Sequence, residues 1–332
     1  MYNIVGFYYF LRWIGDMMNK KVVVFGGGTG ISYLLRGLNL FPVDITAVIT
    51  VSDDGASTGK LREEFSMPGM GDIRKAIVSL SDSSSEIKDL FNYRFNTYSD
   101  LNGHPIGNLI LTAMYNMTGS LSSSIKVLSD FLDVKHKVLP LSEDYLTLMA
   151  ETVDGKIVSG EKNIPDVEHR YKRFFYKEVP HVSSEVVDAI KNADLIVFSI
   201  GSLYTSIIPH LIAPEVIRAI DKSKARILYT CNAAIQKGET DDYTVGDHVA
   251  ILNEYLGKKK VDAVLVSNTV IPKKIIDRYV RYENKELVKI DMDYLKSLGC
   301  EVLSSDLLTI EDNYIRHDSM KLATAIFNYL MR

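Results

Sequence analysis

Hydrophobic positions along the chain fall into short, unbroken, β-branched runs separated by segments of helical period. Residues 21–25 (KVVVF) are wholly apolar, as a parallel strand buried on both faces requires. Glycines follow, then the amphipathic stretch ISYLLRGLNL, then a second strand over Asp44–Val51. Strand, glycine turn, helix and strand make up the opening βαβ unit of a doubly wound fold. Further strands are predicted at Asp194–Ile200, Ala225–Thr230 and Asp262–Ser267, each ending in small polar residues. Helical patterns at Ser184–Asn192, Ala213–Asp221 and Val245–Leu256 separate them. Residues 72–131 read as helical, with Asn108–Met117 and Ser122–Leu132 divided at Gly119. The period shortens over 136–180, where alternating strands and an Asp154-Gly155 turn predict a small antiparallel insertion. The fold class is therefore α/β, Rossmann-like and doubly wound, with a mostly parallel sheet and a small antiparallel insertion.

The first 18 residues stand apart. They are apolar and aromatic, but Arg12 interrupts them and they fall short of a bilayer span. They lack a basic start and a small-residue cleavage site. We read residues 1–18 as an extension ahead of a true start at Met17 or Met18, or as an amphipathic helix, and residues 19–332 as one nucleotide-binding domain.

Composition narrows the function. With 46% apolar and 24% charged residues, the chain is an ordinary soluble globular protein. A net charge of −4 excludes a general polyanion binder, so no nucleic acid is expected, and no membrane span is expected either. Cys231 and Cys300 lie beside apolar runs and read as buried free thiols, which fits a reducing cytoplasm.

Ligands of an open parallel sheet bind beyond the carboxyl ends of its strands. Four such ends carry distinctive residues. Gly26-Gly27-Gly28-Thr29-Gly30 lets the backbone approach a diphosphate, and the helix that follows offers free N–H groups; Thr29 can cap that helix or bond a phosphate. Ile31 stands where the dinucleotide fingerprint needs a third glycine, which disfavours NAD and FAD. Asp53 and Asp54 end the second strand, where an acid can bond a ribose hydroxyl or hold Mg²⁺. Adjacent aspartates point different ways, so one of the pair is expected to face the ligand. Asp72 is placed as a helix N-cap, with Arg74 in reach of phosphate. His104 and Asn108 sit in a loop entering a helix, where the first can act as acid–base group or orienting donor and the second can bond a base or phosphate. Gly201 and Ser202, and Asn232 after the next strand, suit an anion or sugar. Gly-x-Ser-x-Gly, HExxH and Walker A motifs are absent from the sequence.

Taken in order, GGGTG, SDDG-STGKLR, GDIRKA, GHPIGNL, GSLYTSIIPHL, CNAAIQKGETDDY and HDSMKLA resemble the gluconeogenesis-factor family, CofD-like proteins related to 2-phospho-L-lactate transferase. The resemblance runs from about Lys21 to the C-terminus. It implies a site for a nucleotide diphosphate sugar, UDP-N-acetylglucosamine foremost, and a role in cell shape and peptidoglycan synthesis during gluconeogenic growth. It further implies that Tyr279, with Tyr282 as the nearby alternative, and Arg316 contact the UDP-sugar. No reaction is established for that branch, so a regulatory binding protein without a required cofactor is expected. The alternative is a Mg²⁺-dependent phospholactyl-type transferase with a nucleoside diphosphate-linked donor, its metal on Asp53 or Asp54. Wall-synthesis proteins are the expected partners, and homodimer formation is left open.

Overall fold

The computed structural model describes residues 20–165, 170–283, 285–311 and 313–332; the predicted extension over 1–18 lies outside them. Seven parallel strands form the central sheet. They are β1 (Lys21–Gly26), β2 (Asp44–Ile49), β3 (Lys137–Pro140), β7 (Leu195–Phe198), β8 (Arg226–Thr230), β9 (Ala263–Ser267) and β10 (Glu301–Ser305). Their order is β3-β2-β1-β7-β8-β9-β10. The winding direction reverses between β1 and β7, the place where an open sheet leaves a crevice for a ligand.

The apolar runs form strands because both faces are covered. Val22 and Val24 enter one core and Val23 and Phe25 the other, all at most 1% exposed. Helix α1 (Gly30–Leu38) buries Ile31, Leu34, Leu35 and Leu38, the i, i+3, i+4, i+7 face of a 3.6-residue period. It packs against the last helix, α13 (Ser319–Leu330), whose Asp318 cap accepts from the N–H groups of Met320 and Lys321. On that same side lie α2 (Ala56–Phe65), α3 (Gly71–Leu80), α4 (Ser85–Asn92), α5 (Ile106–Thr118) and α6 (Leu121–Phe131), whose buried apolar residues belong to the first core. Helices α7 (Ser184–Lys191), α9 (Pro214–Lys222) and α10 (Val245–Tyr255) contribute to the second. The short helices α8 (Ile208–Leu211), α11 (Lys273–Arg278) and α12 (Met292–Ser297) complete the set.

The antiparallel insertion is smaller than the sequence implies. It comprises β4 (Leu148–Thr152), β5 (Ile157–Ser159) and β6 (Tyr171–Tyr176), with β4 in the middle. Lys137–Pro140, predicted within it, is instead the edge strand of the main sheet, in register with Thr46–Ile49. Its run is too short to show whether it pairs parallel or antiparallel. A second antiparallel hairpin, β11 (Leu308–Glu311) and β12 (Tyr314–His317), precedes α13. Together with Ile271, Ile275 and Tyr279 it builds a third, small core.

The α1–α13 contact is close because Gly37 lies at the crossing. A β-carbon there would fall 2.0 Å from the carbonyl oxygen of Ser319. Backbone cannot yield as a side chain would. Gly37→Ala is expected to cost about 1–3 kcal/mol, the usual range for overpacking. Chemical denaturation measures this, and a variant as stable as wild type would show that the two helices slide apart freely.

Candidate functional site

The glycine loop after β1 is shaped from beneath. A β-carbon on Gly26 would lie 2.1 Å from Ser199 Oγ, and one on Gly30 would lie 2.2 Å from the carbonyl oxygen of Ile200. Gly28 has φ +68°, in the left-handed region that glycine enters without strain. These contacts seat the turn after β1 directly on the turn after β7. Thr29 stands at the N-cap of α1 without a capping hydrogen bond from its side chain. Buried His210 donates from Nε2 to the carbonyl of Gly26 at 3.3 Å, and burial drives its pKa down to about 3, so it supports the loop as a neutral ring.

Beyond β7, Ser202 caps the π-helical turn Leu203–Ile207 by accepting from the Thr205 N–H, and its hydroxyl donates to Glu239. Beyond β8, Asn232 pairs its side-chain amide with the backbone of Gly201 in both directions: Gly201 N–H to Oδ1 at 3.1 Å and Nδ2 to Gly201 O at 2.7 Å. The amide thus holds two strand ends together as a ladder rung would.

These turns and the β11–β12 hairpin enclose a cleft of about 440 Å³. Gly28, Thr29, Gly30, Gly201, Ser202, Asn232, Tyr279 and Arg316 line it, so eight of the expected ligand residues meet in one place. Arg316 reaches the rim from β12, its guanidinium 5.3 Å from the ring centre of Tyr314. Between the two candidate tyrosines, Tyr279 is the one that lines the cleft, whereas Tyr282 is 73% exposed on another surface. Tyr279 is buried, and its hydroxyl accepts the Ile315 N–H at 2.6 Å. Its ring is one wall of the cleft rather than a free stacking platform.

The remaining expected residues lie elsewhere. Met70, not Asp72, occupies the N-cap of α3. Asp72 sits in the first turn, where it accepts from the Gly28 N–H and from Lys75 Nζ at 2.9 Å. Asp53 and Asp54 diverge. Asp53 accepts the Gly55 N–H at 2.9 Å, and burial, then the charge of Asp72, raises its pKa. Asp54 turns to the insertion and accepts the Lys162 N–H at 2.8 Å, capping the short turn Glu161–Asn163. His104 Nδ1 meets Ser57 Oγ at 2.8 Å, and Asn108 Nδ2 donates to the same hydroxyl at 3.2 Å, all three buried. His104 and Asn108 therefore knit α5 to α2 and do not line the cleft. Gly26 and Gly27 form the loop's floor, and Arg74 lines a separate groove on the far side of Thr29.

Two acids escaped the sequence reading. Glu239 is 8% exposed, and burial lifts its carboxyl to about 7. Glu161, from the insertion, has Oε2 buried without a partner, and burial followed by Asp53 and Asp72 raises it well above the usual range. Glu239 lies within the quoted CNAAIQKGETDDY motif, but an acid beside a glycine reads as a solvated turn. Nothing in the local pattern of Glu161 marks it, because its neighbours come from other elements. Among the described residues no three His, Cys, Asp or Glu side chains converge into a metal-ligand set.

A carboxyl held above its ordinary value keeps a proton in the folded state that the unfolded chain has released. For Glu239 the associated stability is full below about pH 4.5 and is lost as pH rises to about 7. Glu239→Gln removes that dependence. Its melting temperature relative to wild type should rise steadily across this window and level off above it; a constant difference would mean that Glu239 does not titrate there.

Comparison with known proteins follows the same outline. The family model described as 2-phospho-L-lactate transferase CofD matches residues 22–308. The gluconeogenesis factor of Bacillus subtilis is 44% identical over 311 residues, 93% of this chain and 98% of that protein. That of Halalkalibacterium halodurans is 42% identical, over 93% and 96% of the two chains. The crystal structure of a UPF0052 family member from Bacillus halodurans superposes with a TM-score of 0.89 at 42% identity, covering 92% of this chain and 99% of that one. With the doubly wound sheet, the glycine turn at its switch point and this agreement over nearly the full length, the chain belongs to the gluconeogenesis-factor branch of the CofD family.

Proposed function

We propose that the protein binds a nucleotide diphosphate sugar, UDP-N-acetylglucosamine foremost, in the switch-point cleft, and acts as a sensor of that ligand rather than as its catalyst. The observation that carries this reading is the meeting of Gly28, Thr29 and Gly30 with Arg316 across one cleft of about 440 Å³. A diphosphate laid over the start of α1 meets free N–H groups and the positive end of the helix dipole. Arg316 faces it from the opposite rim, where a guanidinium can grip two phosphate oxygens at once. Gly201 and Ser202 leave room and hydroxyl chemistry for the sugar, and Tyr279 presents an apolar wall for a base. The volume falls within the range of small-molecule sites. On this reading the protein works in the cytoplasm, upstream of wall synthesis and cell shape during gluconeogenic growth, with wall-synthesis proteins as its partners.

A second reading is favoured by one specific feature. Asp53, Asp72, Glu161 and Glu239 gather near the loop, an arrangement that repels a diphosphate while the acids are ionised. A divalent cation would reconcile acids and phosphate, and the matching family model carries the name of a transferase. The diverging Asp53 and Asp54 do not form a joint ligand set, so no step is assigned to a metal here.

Titration calorimetry with UDP-N-acetylglucosamine tests the sensor. Arg316→Ala should weaken binding by about 1.5–3 kcal/mol, on the order of tenfold or more. Gly28→Val should abolish it in a folded protein, because a branched side chain is strained at positive φ and fills the phosphate path. EDTA should leave wild-type affinity unchanged, and no product should accumulate. Binding that needs Mg²⁺, with release of a nucleoside monophosphate, would overturn the sensor in favour of the transferase. Absence of heat with any uridine or guanosine diphosphate ligand would overturn both.

A further inference from the structure

On the other side of Thr29 lies a groove of about 470 Å³, walled by α1, α3 and α4. Thr29 is its one residue in common with the nucleotide-sugar cleft. Its charge is opposite to that of the protein as a whole. Arg36, Arg74, Lys75 and Lys88 line it against the carboxylate of Asp89, in a chain whose net charge is −4.

Two of its side chains are built into the protein with polar capacity unspent. Arg74 is 3% exposed, yet its Nε has no hydrogen-bond partner. The guanidinium is held in place by donation from Nη1 to Asn92 at the end of α4, and its aliphatic stem is clamped by the backbone of α5: a β-carbon on Gly107 would lie 2.7 Å from Arg74 Cδ. Ser32 is 7% exposed, and its Oγ is likewise unpartnered. Burying a guanidinium N–H and a hydroxyl without partners is costly, and it persists where something else supplies the missing contact. Burial, then the nearby charge of Arg94, also holds the Arg74 pKa down at about 10, with the carboxylate of Asp72 pulling the other way. Lys75 is ion-paired with Asp72, so the contact that satisfies the Gly28 loop also forms the edge of this groove.

We propose that this groove is a second anion site, which takes the phosphate of a small phosphorylated metabolite and fills independently of the nucleotide-sugar cleft. Arg74 and Ser32 form its fixed floor, and exposed Arg36 and half-buried Lys88 its cationic rim. Val78 supplies a small apolar patch, and Ser79 and Ser85 supply hydroxyls that suit a polyol body. Phosphate is favoured over a carboxylate because the cations approach from three helices, surrounding a tetrahedral dianion rather than pairing with one flat group.

The test uses the full chain at low ionic strength, titrated with glucose 6-phosphate, inorganic phosphate and glucose. Both phosphates should bind and glucose should not. The double variant Arg36→Glu, Lys88→Glu changes surface side chains alone and should remain folded by circular dichroism. It should weaken phosphate binding by about tenfold or more, roughly 1.4 kcal/mol, while UDP-N-acetylglucosamine affinity stays within about twofold. Added salt should weaken phosphate binding. Saturating UDP-N-acetylglucosamine should leave glucose 6-phosphate affinity in place. No phosphate binding, unchanged binding in the double variant, or competition with the UDP-sugar would each overturn the proposal. Should the UDP-sugar itself fail to bind, the charge-reversal arm still decides this site separately.

Discussion

Two backbone turns share one small space where the sheet reverses direction, and much of the molecule is arranged around that contact. Gly26 and Gly30 approach Ser199 and Ile200 so closely that a single added carbon would overlap them. With side chains at these positions, β1 and β7 could not pair in register up to Phe25 and Phe198. Nor could α1 begin where its free N–H groups face the crevice. The same closeness explains the supporting cast. Neutral His210 lies under the loop, Asn232 ties the turn after β7 to the turn after β8, and Asp72 holds Gly28 from the side.

Charge is partitioned about that loop. Acids from the loop after β2, from the insertion and from the segment after β8 collect on one side, partly neutralised by burial. Cations from α1, α3 and α4 collect on the other. Asp72 and Lys75 meet at the boundary and join the halves by one ion pair. A chain of modest net charge thus maintains two regions of opposite sign within a few residues of Thr29, which a composition count cannot reveal.

The sheet was legible in the sequence because parallel strands buried on both faces lose their alternation and become solid apolar runs, as in KVVVF and DLIVF. The loop glycines were legible because four in five positions serve little purpose except close approach. What stayed hidden is long-range. Lys137–Pro140 has too few residues to declare its partner. Glu301–Ser305 and the β11–β12 hairpin are half-buried strands with polar positions throughout, and they went unread. Asp54, His104 and Asn108 carry ligand-like chemistry but spend it on Lys162, Ser57 and each other's neighbourhood. Spacing identifies a residue's chemistry but not the direction in which its side chain turns. Tyr279 and Arg316 came from family resemblance alone, and the fold places both on the cleft.

The hairpin that carries Arg316 lies far downstream in sequence of the glycine loop it faces. The cleft therefore has one wall once β1 and α1 leave the ribosome and gains the other only after the hairpin has followed. A nascent chain can fold β1 and α1 early, but it cannot hold a ligand between them and a hairpin not yet made. Ligand would stabilise the finished chain and leave unfinished ones alone. Truncation near the C-terminus would then cost more than a helix: it would open the cleft along its entire far side.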